Sequence, residues 1–219
     1  MSYAVLYSGG KDSNLALYYG LKNVKCLISI ISKNPYSFMF HTPNIWLTKY
    51  QAKAIGLPII IKKTKGEKEK ELKDLEIAIK KAKKIYNIEG VISGAVKSKY
   101  QKERIDKICK KLKIKHYAPL WQKKEEEIIE EIKKLNFEVI VTGIFAWPLT
   151  KEHVGKNFFE ILDILKEKGI NIIGEGGEIE TLVLDALFFK KKIKIIDAEI
   201  EGKNNTWIYK IKKIKLLKK

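Results

Sequence analysis

The chain has 219 residues, 45% of them hydrophobic, which suits one large or two small packed domains and excludes a disordered polymer. Its formal charge of +18 comes from 44 basic against 26 acidic residues, but Arg104 is the only arginine. The excess therefore reads as solvated lysine surface of the kind enriched in heat-adapted proteins, not as a nucleic-acid reading head, although it still suits an acidic macromolecular partner. No run approaches the roughly 18 apolar residues of a membrane span, no leader precedes the first strand, and Cys26 and Cys109 have no metal or disulfide spacing, so a cytoplasmic protein is expected.

In chain order, short apolar runs alternate with helical segments, the grammar of an α/β fold. The run Tyr3 to Tyr7 predicts a strand, Asn14 to Leu21 a helix, and Val24 to Ile31 a second strand buried on both faces. A loop through Asn34-Pro35 and Thr42-Pro43 leads to a helix from Asn44 to Ile55, ended by Gly56, and to strand Pro58 to Ile61. Residues Glu67 to Tyr86 predict an amphipathic helix with Leu72, Leu75, Ile79, Ala82 and Ile85 on one face. Strand Gly90 to Val96, a helix from Arg104 to Leu112 and a short strand at His116 to Ala118 complete the series. Right-handed crossovers then give a doubly wound parallel five-stranded sheet of order 3-2-1-4-5, with its switch point between strands one and four. Past Pro119-Leu120-Trp121 the pattern restarts with helix Lys123 to Leu135 and strand Phe137 to Thr142. It closes with two alternating runs, Lys192 to Ile200 and Thr206 to Leu217, around a loop at Glu201 to Asn205. We therefore expect a nucleotide-binding domain over 1–119 and a smaller α+β domain over 120–219.

Three segments carry chemistry. Ser8-Gly9-Gly10-Lys11-Asp12-Ser13 lies between the first strand and the first helix. Paired glycines let backbone N–H groups approach an anion, the helix N-terminus adds its positive end, Lys11 adds a charge, and Asp12 suits Mg²⁺ held against phosphate oxygens. The spacing is shorter than that of a Walker loop. Across the switch point the loop after strand four, Ser93-Gly94-Ala95 onward, faces the same crevice, so a nucleotide is expected to lie with its phosphates on the first loop and its base beside the second. The third is an acidic island. From Gly169 to Phe189 there is no lysine or arginine, while Glu175, Glu178, Glu180 and Asp185 fall inside, grouped around Gly174, Gly176 and Gly177. Such a glycine-rich turn allows several carboxylates to converge on one cation.

The first of these loops resembles the pyrophosphate-binding loop of the N-type ATP pyrophosphatases. The chain as a whole resembles the diphthine–ammonia ligase family: besides Ser8 to Ser13, the matching pieces are His41-Thr42-Pro43-Asn44, Gln51, Ile55-Gly56-Leu57-Pro58, Gly94-Ala95, Ser98, Tyr100-Gln101, Arg104, Pro119-Leu120-Trp121 and Gly174 to Glu178 with Glu180-Thr181. Ile179 and Lys156 depart from that pattern. The resemblance implies ATP- and Mg²⁺-dependent amidation of diphthine on translation elongation factor 2, giving diphthamide, AMP and pyrophosphate. It implies cofactor contacts from Ser8 to Ser13, His41, Ser93 and Gly94, and substrate contacts from Tyr100, Gln101, Trp121, Gly176, Gly177, Glu178, Glu180 and Thr181. Lys11, Asp12, Glu175 and Glu178 are its expected catalytic groups.

Position 2 is serine and no cysteine has a glutaminase setting, so free ammonia is the expected nucleophile. Two readings of the island stay open at this point. Glu178 and Glu180, with Trp121 or Trp147, hold the trimethylammonium group of diphthine, or the island holds a second Mg²⁺. A tRNA-modifying enzyme using the same loop to adenylate a base, and a nucleotide-binding module without turnover, are the alternatives of other classes. The sequence leaves a homo-oligomer open.

Overall fold

The computed structural model describes residues 1–34, 39–40 and 43–219, so His41 lies outside the described residues. The first half forms β1 (Tyr3–Leu6), α1 (Lys11–Gly20), β2 (Val24–Ser32), α2 (Thr48–Ile55), β3 (Ile59–Thr64), α3 (Glu71–Tyr86), β4 (Gly90–Ile92), α4 (Lys99–Lys111) and β5 (Lys115–Tyr117). Its strands pair in parallel in the order β3-β2-β1-β4-β5, as the alternating pattern predicts. The second half forms α5 (Glu125–Lys134), β6 (Glu138–Ile144), α6 (Leu162–Glu167), β7 (Ile179–Asp185), β8 (Lys191–Lys203) and β9 (Thr206–Lys218), with an antiparallel sheet in the order β7-β6-β9-β8. Among the described residues no helix is long and apolar enough to cross a membrane.

Several elements depart from the sequence expectation, each for a local reason. Gly10 is extended, at φ −75° and ψ 171°, and hands the chain directly to α1, so Lys11, Asp12 and Ser13 form the first helical turn instead of preceding it. β4 ends at Ile92, because from Gly94 the chain turns onto the start of α1. α4 starts at Lys99, where Ser98 caps it by accepting a hydrogen bond from the Gln101 N–H at 3.3 Å, five residues before the expected start. In α3 the residues Leu75, Ala78, Ile79 and Ala82 are buried at spacings of three and four, while Ile85 in the last turn is exposed. The closing hairpin pairs through Lys203 and Thr206, leaving only Asn204-Asn205 as its turn.

Two apolar clusters sandwich the parallel sheet. One, beneath α3 and α4, gathers Ala4, Ile28, Ile79 and Ile105. The other joins the two sheets: Val5, Leu15 and Leu17 pack in one continuous body with Ile128, Val139, Phe158 and Leu182. Polar contacts then fix how the second sheet meets the loop after β1. The Gly9 carbonyl accepts from the Val183 N–H at 3.0 Å, and the Lys11 N–H donates to Thr181 Oγ1 at 3.2 Å. Gln51, fully buried on α2, donates from Nε2 to the carbonyls of Gly9 and Val183, both at 2.8 Å. Gln51→Leu removes both buried donations and should lower the unfolding free energy by about 1–3 kcal/mol. In urea titration the midpoint should fall with the slope unchanged.

Candidate functional site

Where the C-terminal ends of β1 and β4 diverge, a crevice of about 660 Å³ opens between the parallel sheet and the turn before β7. That volume falls in the range of small-molecule sites. Its apolar floor comes from Leu6, Ile28 and Ile30, and its polar walls from three loops.

The first wall is the loop after β1. Ser8, Gly10, Lys11, Asp12 and Ser13 line the crevice. Gly9 is tucked behind them at φ +86°, where a Cβ would stand 2.2 Å from Gln51 Oε1, so only glycine fits. The loop is set by its own polar groups: Ser13 Oγ accepts from the Gly9 N–H at 3.1 Å and donates to the Gly10 carbonyl at 3.0 Å. Asn14 Nδ2 donates to the carbonyls of Gly9 and Gly10 at 3.1 and 3.0 Å. α1 starts at the crevice, where its N-terminal end carries positive dipole charge, and its first amide, on Lys11, is taken by Thr181 Oγ1 at 3.2 Å. Lys11 is only 2% exposed. Its Nζ contacts both Asp12 carboxylate oxygens, at 2.8 and 3.0 Å, donates to the Ile173 carbonyl at 2.6 Å, and lies 5.6 Å from the Phe158 ring centre.

The second wall follows β4. Ser93 and Gly94 line it, and a Cβ on Gly94 would come within 2.8 Å of the Asp12 backbone, so the close approach of the two loops needs glycine. Tyr100 and Gln101 continue the wall, with the Arg104 guanidinium stacked 3.4 Å from the Tyr100 ring centre and paired with Glu69. Trp121 is not brought to this wall. Its ring lies under the Lys102 ammonium at 5.4 Å, although the next residue, Gln122, donates its N–H to the Val96 carbonyl of the loop after β4 at 2.8 Å. Trp147, 76% exposed, does not line the crevice either.

The acidic island is the third wall, and its carboxylates separate by role. Glu175, Gly176, Gly177, Glu180 and Thr181 line the crevice. Glu175 Oε1 accepts the backbone N–H groups of Lys97 and Ser98, each at 2.7 Å, and so ties the island to the loop after β4. Burial pushes its carboxyl above the ordinary range, against the pull of those two amides. Glu178 stands behind the wall, with Oε2 buried and without a hydrogen-bond partner among the described residues. The Phe145 N–H donates to the Glu178 carbonyl at 2.8 Å, which brings the Phe145 ring to the wall. Sequence reasoning missed Phe145 because it ended β6 two residues early, at Thr142. Among the described residues no three His, Cys, Asp or Glu side chains converge as metal ligands. A second metal in the island therefore gains no support, whereas Asp12 fits a Mg²⁺ that arrives with phosphates and needs only one or two protein carboxylates.

Residues 1–116 match the family described as "Diphthamide synthase N-terminal domain" and residues 124–217 the one described as "Diphthamide synthase C-terminal domain". The chain belongs to the diphthamide synthase family. Among its relatives, the diphthine–ammonia ligase of Rattus norvegicus is 31% identical over 225 residues, covering 91% of this chain and 84% of that one. The diphthine–ammonia ligase of Homo sapiens is 28% identical over 226 residues, covering 91% and 85%. A solved structure described as a predicted subunit of tRNA methyltransferase from Methanocaldococcus jannaschii is 20% identical, covers 85% of this chain and 97% of that one, and superposes with a TM-score of 0.46, a fit too loose to carry weight.

The raised Glu175 carboxyl has a signed consequence for this family member. Between the unfolded carboxyl value and the higher folded one, the native state holds the extra proton. The group's contribution to stability is therefore full below the unfolded value and is lost as pH rises through the folded one. Glu175→Gln should flatten that segment of a thermal-stability profile against pH, and should melt no lower than the parent at neutral pH.

Proposed function

We propose that this crevice carries out ATP-dependent amide ligation. The carboxylate of diphthine, on the modified histidine of translation elongation factor 2, is adenylated with loss of pyrophosphate, and ammonia then displaces AMP to give diphthamide. The observation that carries this reading is one crevice that holds both an anion cradle and an acidic wall: the N-terminal end of α1 with Lys11, and the wall with Glu175 and Glu180.

The chemistry follows from that polarity. A carboxylate is a poor acyl electrophile, and transfer to AMP supplies its leaving group. The N-terminal end of α1, the Ser8 hydroxyl and Lys11 would hold the departing pyrophosphate, with the adenine over Leu6, Ile28 and Ile30. Asp12 would hold Mg²⁺, which when bound neutralises phosphate charge. Ser93, Gly94, Tyr100, Gln101, Gly176, Gly177 and Thr181 line the same crevice. Free ammonia as nucleophile is supported by the thiols. Cys26 and Cys109 are buried, burial pushes each up to about 12, and neither has thiolate character near neutrality.

The acidic wall suits a quaternary ammonium, a cation with no N–H to donate. Glu180 and Phe145, which line the wall, would meet it by charge and polarisability, and Glu178 behind them adds negative charge.

Incubation of the purified protein with ATP, Mg²⁺, ammonium and diphthine-bearing elongation factor 2 should yield AMP, pyrophosphate and diphthamide in equal amounts, read by chromatography and peptide mass spectrometry. Factor lacking diphthine should yield none, and ADP as the sole nucleotide product overturns the reading. Lys11→Ala should lower kcat/KM by about 10²–10³. Glu178→Gln should raise the KM for the protein substrate more than that for ATP.

A further inference from the structure

The wall after β4 contains a hydrogen-bonded chain that the roles above leave unused. Ser93, 3% exposed and lining the crevice, places Oγ 2.8 Å from Nε2 of His116 on β5. Nδ1 of His116 lies 2.6 Å from Oδ1 of Asp106 on α4, and the other oxygen of Asp106 accepts from Lys102 at 2.7 Å. The imidazole side chain is 4% exposed. The groups facing it are Asp106 and Lys102 from α4 and Ser93 from the end of β4.

This order of partners fixes every proton. Asp106 is ionised: burial would raise its carboxyl, but the bonds from Lys102 and His116 outweigh that and hold it below its usual range. An ionised carboxylate only accepts, so Nδ1 carries the imidazole hydrogen and donates it to Asp106. Burial keeps His116 below the ordinary imidazole value, opposed by Asp106 and aided by Lys102, so at neutral pH Nε2 is bare and accepts the Ser93 O–H. Ser93 therefore turns lone pairs, not a hydrogen, toward the crevice. Such a hydroxyl is poorly suited to a phosphate oxygen and well suited to an N–H.

We propose that Ser93, His116 and Asp106 form a proton relay for the second half-reaction, the attack of ammonia on the activated acyl group. Resting on the ligase reading above, the step runs as follows. A C–N bond forms as the ammonia lone pair attacks the acyl carbon, and the C–O bond to AMP breaks with its electron pair leaving on the phosphate. The surplus proton on nitrogen passes to Ser93 Oγ while the hydroxyl's own proton moves to His116 Nε2. The imidazolium so formed sits against the Asp106 carboxylate and later releases its proton to water. Ser93 is the catalytic residue here and acts as a conduit, not as a nucleophile; His116 and Asp106 are positioning residues that set its direction. Its location agrees, since Ser93 precedes Gly94, the residue pressed against Asp12 at the phosphate end.

The test separates the two half-reactions. ATP–pyrophosphate exchange with diphthine-bearing elongation factor, without ammonium, reports adenylation; diphthamide formation at a fixed concentration of free NH₃ reports amidation. In His116→Asn the ratio of amidation to exchange should fall about 10²-fold. An acid limb is expected in the parent's amidation rate, below the ordinary imidazole value, and should be lost in this variant. Asp106→Asn, at a partly exposed position, keeps the test decisive if the histidine variant does not fold, and should lower the same ratio. Equal losses in both half-reactions, or an unchanged ratio, overturn the relay. Absence of any exchange in the parent overturns the ligase reading itself, and the relay with it.

Discussion

The Gly9 carbonyl oxygen receives three donors, the Val183 N–H, the Gln51 amide and the Asn14 amide, and the shape of the anion cradle depends on that convergence. A glycine-rich loop has little intrinsic preference for one conformation, since its backbone entropy is the largest to be lost. Here the loss is offset from outside the loop. Val183 and Thr181 belong to the antiparallel sheet, and the bond from Lys11 to Thr181 spans 170 residues of sequence. The anion cradle is therefore completed by the far half of the chain, and the apolar body shared by both sheets holds that half in place. The site and the packing of one sheet on the other form together.

That arrangement also accounts for a buried lysine. Taking an ammonium out of water costs several kcal/mol unless it is paired and hydrogen-bonded. Lys11 meets the condition with the two Asp12 oxygens, the Ile173 carbonyl and the Phe158 ring face. Two of those partners, Ile173 and Phe158, come from the second half and also belong to the apolar body that joins the sheets. Asp12 itself stays partly exposed, so the pair sits at the boundary between core and crevice, where an incoming phosphate can compete for the ammonium and a cation for the carboxylate.

Much of this was legible in the sequence wherever a period or a turn residue carried the information. Buried parallel strands read as continuous apolar runs, crossover rules ordered them, and the strand–glycine–helix junction marked the cradle. Element ends were less legible: the early starts of α1 and α4 come from Gly10 and from the Ser98–Gln101 cap, local devices inside segments read as loops. Residues 145–178 carry no period, because their 3₁₀ turns are too short to repeat one, and so Phe145 and Phe158 could not be assigned. Neighbouring carboxylates in a glycine-rich turn also have no period, and Glu175 and Glu178 were grouped although one ties down backbone amides and the other stands behind the wall. Trp121 was placed by its motif alone, and motif adjacency does not fix which side of a helix a ring takes. His116 could not be grouped with its partners in the sequence, because Ser93 and Asp106 lie 23 and 10 residues away on different elements.

A chain of +18 for which a cationic substrate group is proposed poses an electrostatic question, and distance resolves it. Solvent-exposed lysines are screened over about 8–10 Å at physiological ionic strength, and many here are already paired, as Lys210 and Lys212 are with Glu199. The crevice is governed instead by the charges in its own walls, where the dielectric is lower and screening weaker. Those charges are of both signs: the positive end of α1 and Lys11 belong to one wall, and Glu175 and Glu180 to another. A ligand that carries both an anionic and a cationic group can therefore be held by the crevice's own groups, whatever the sign of the surface around it.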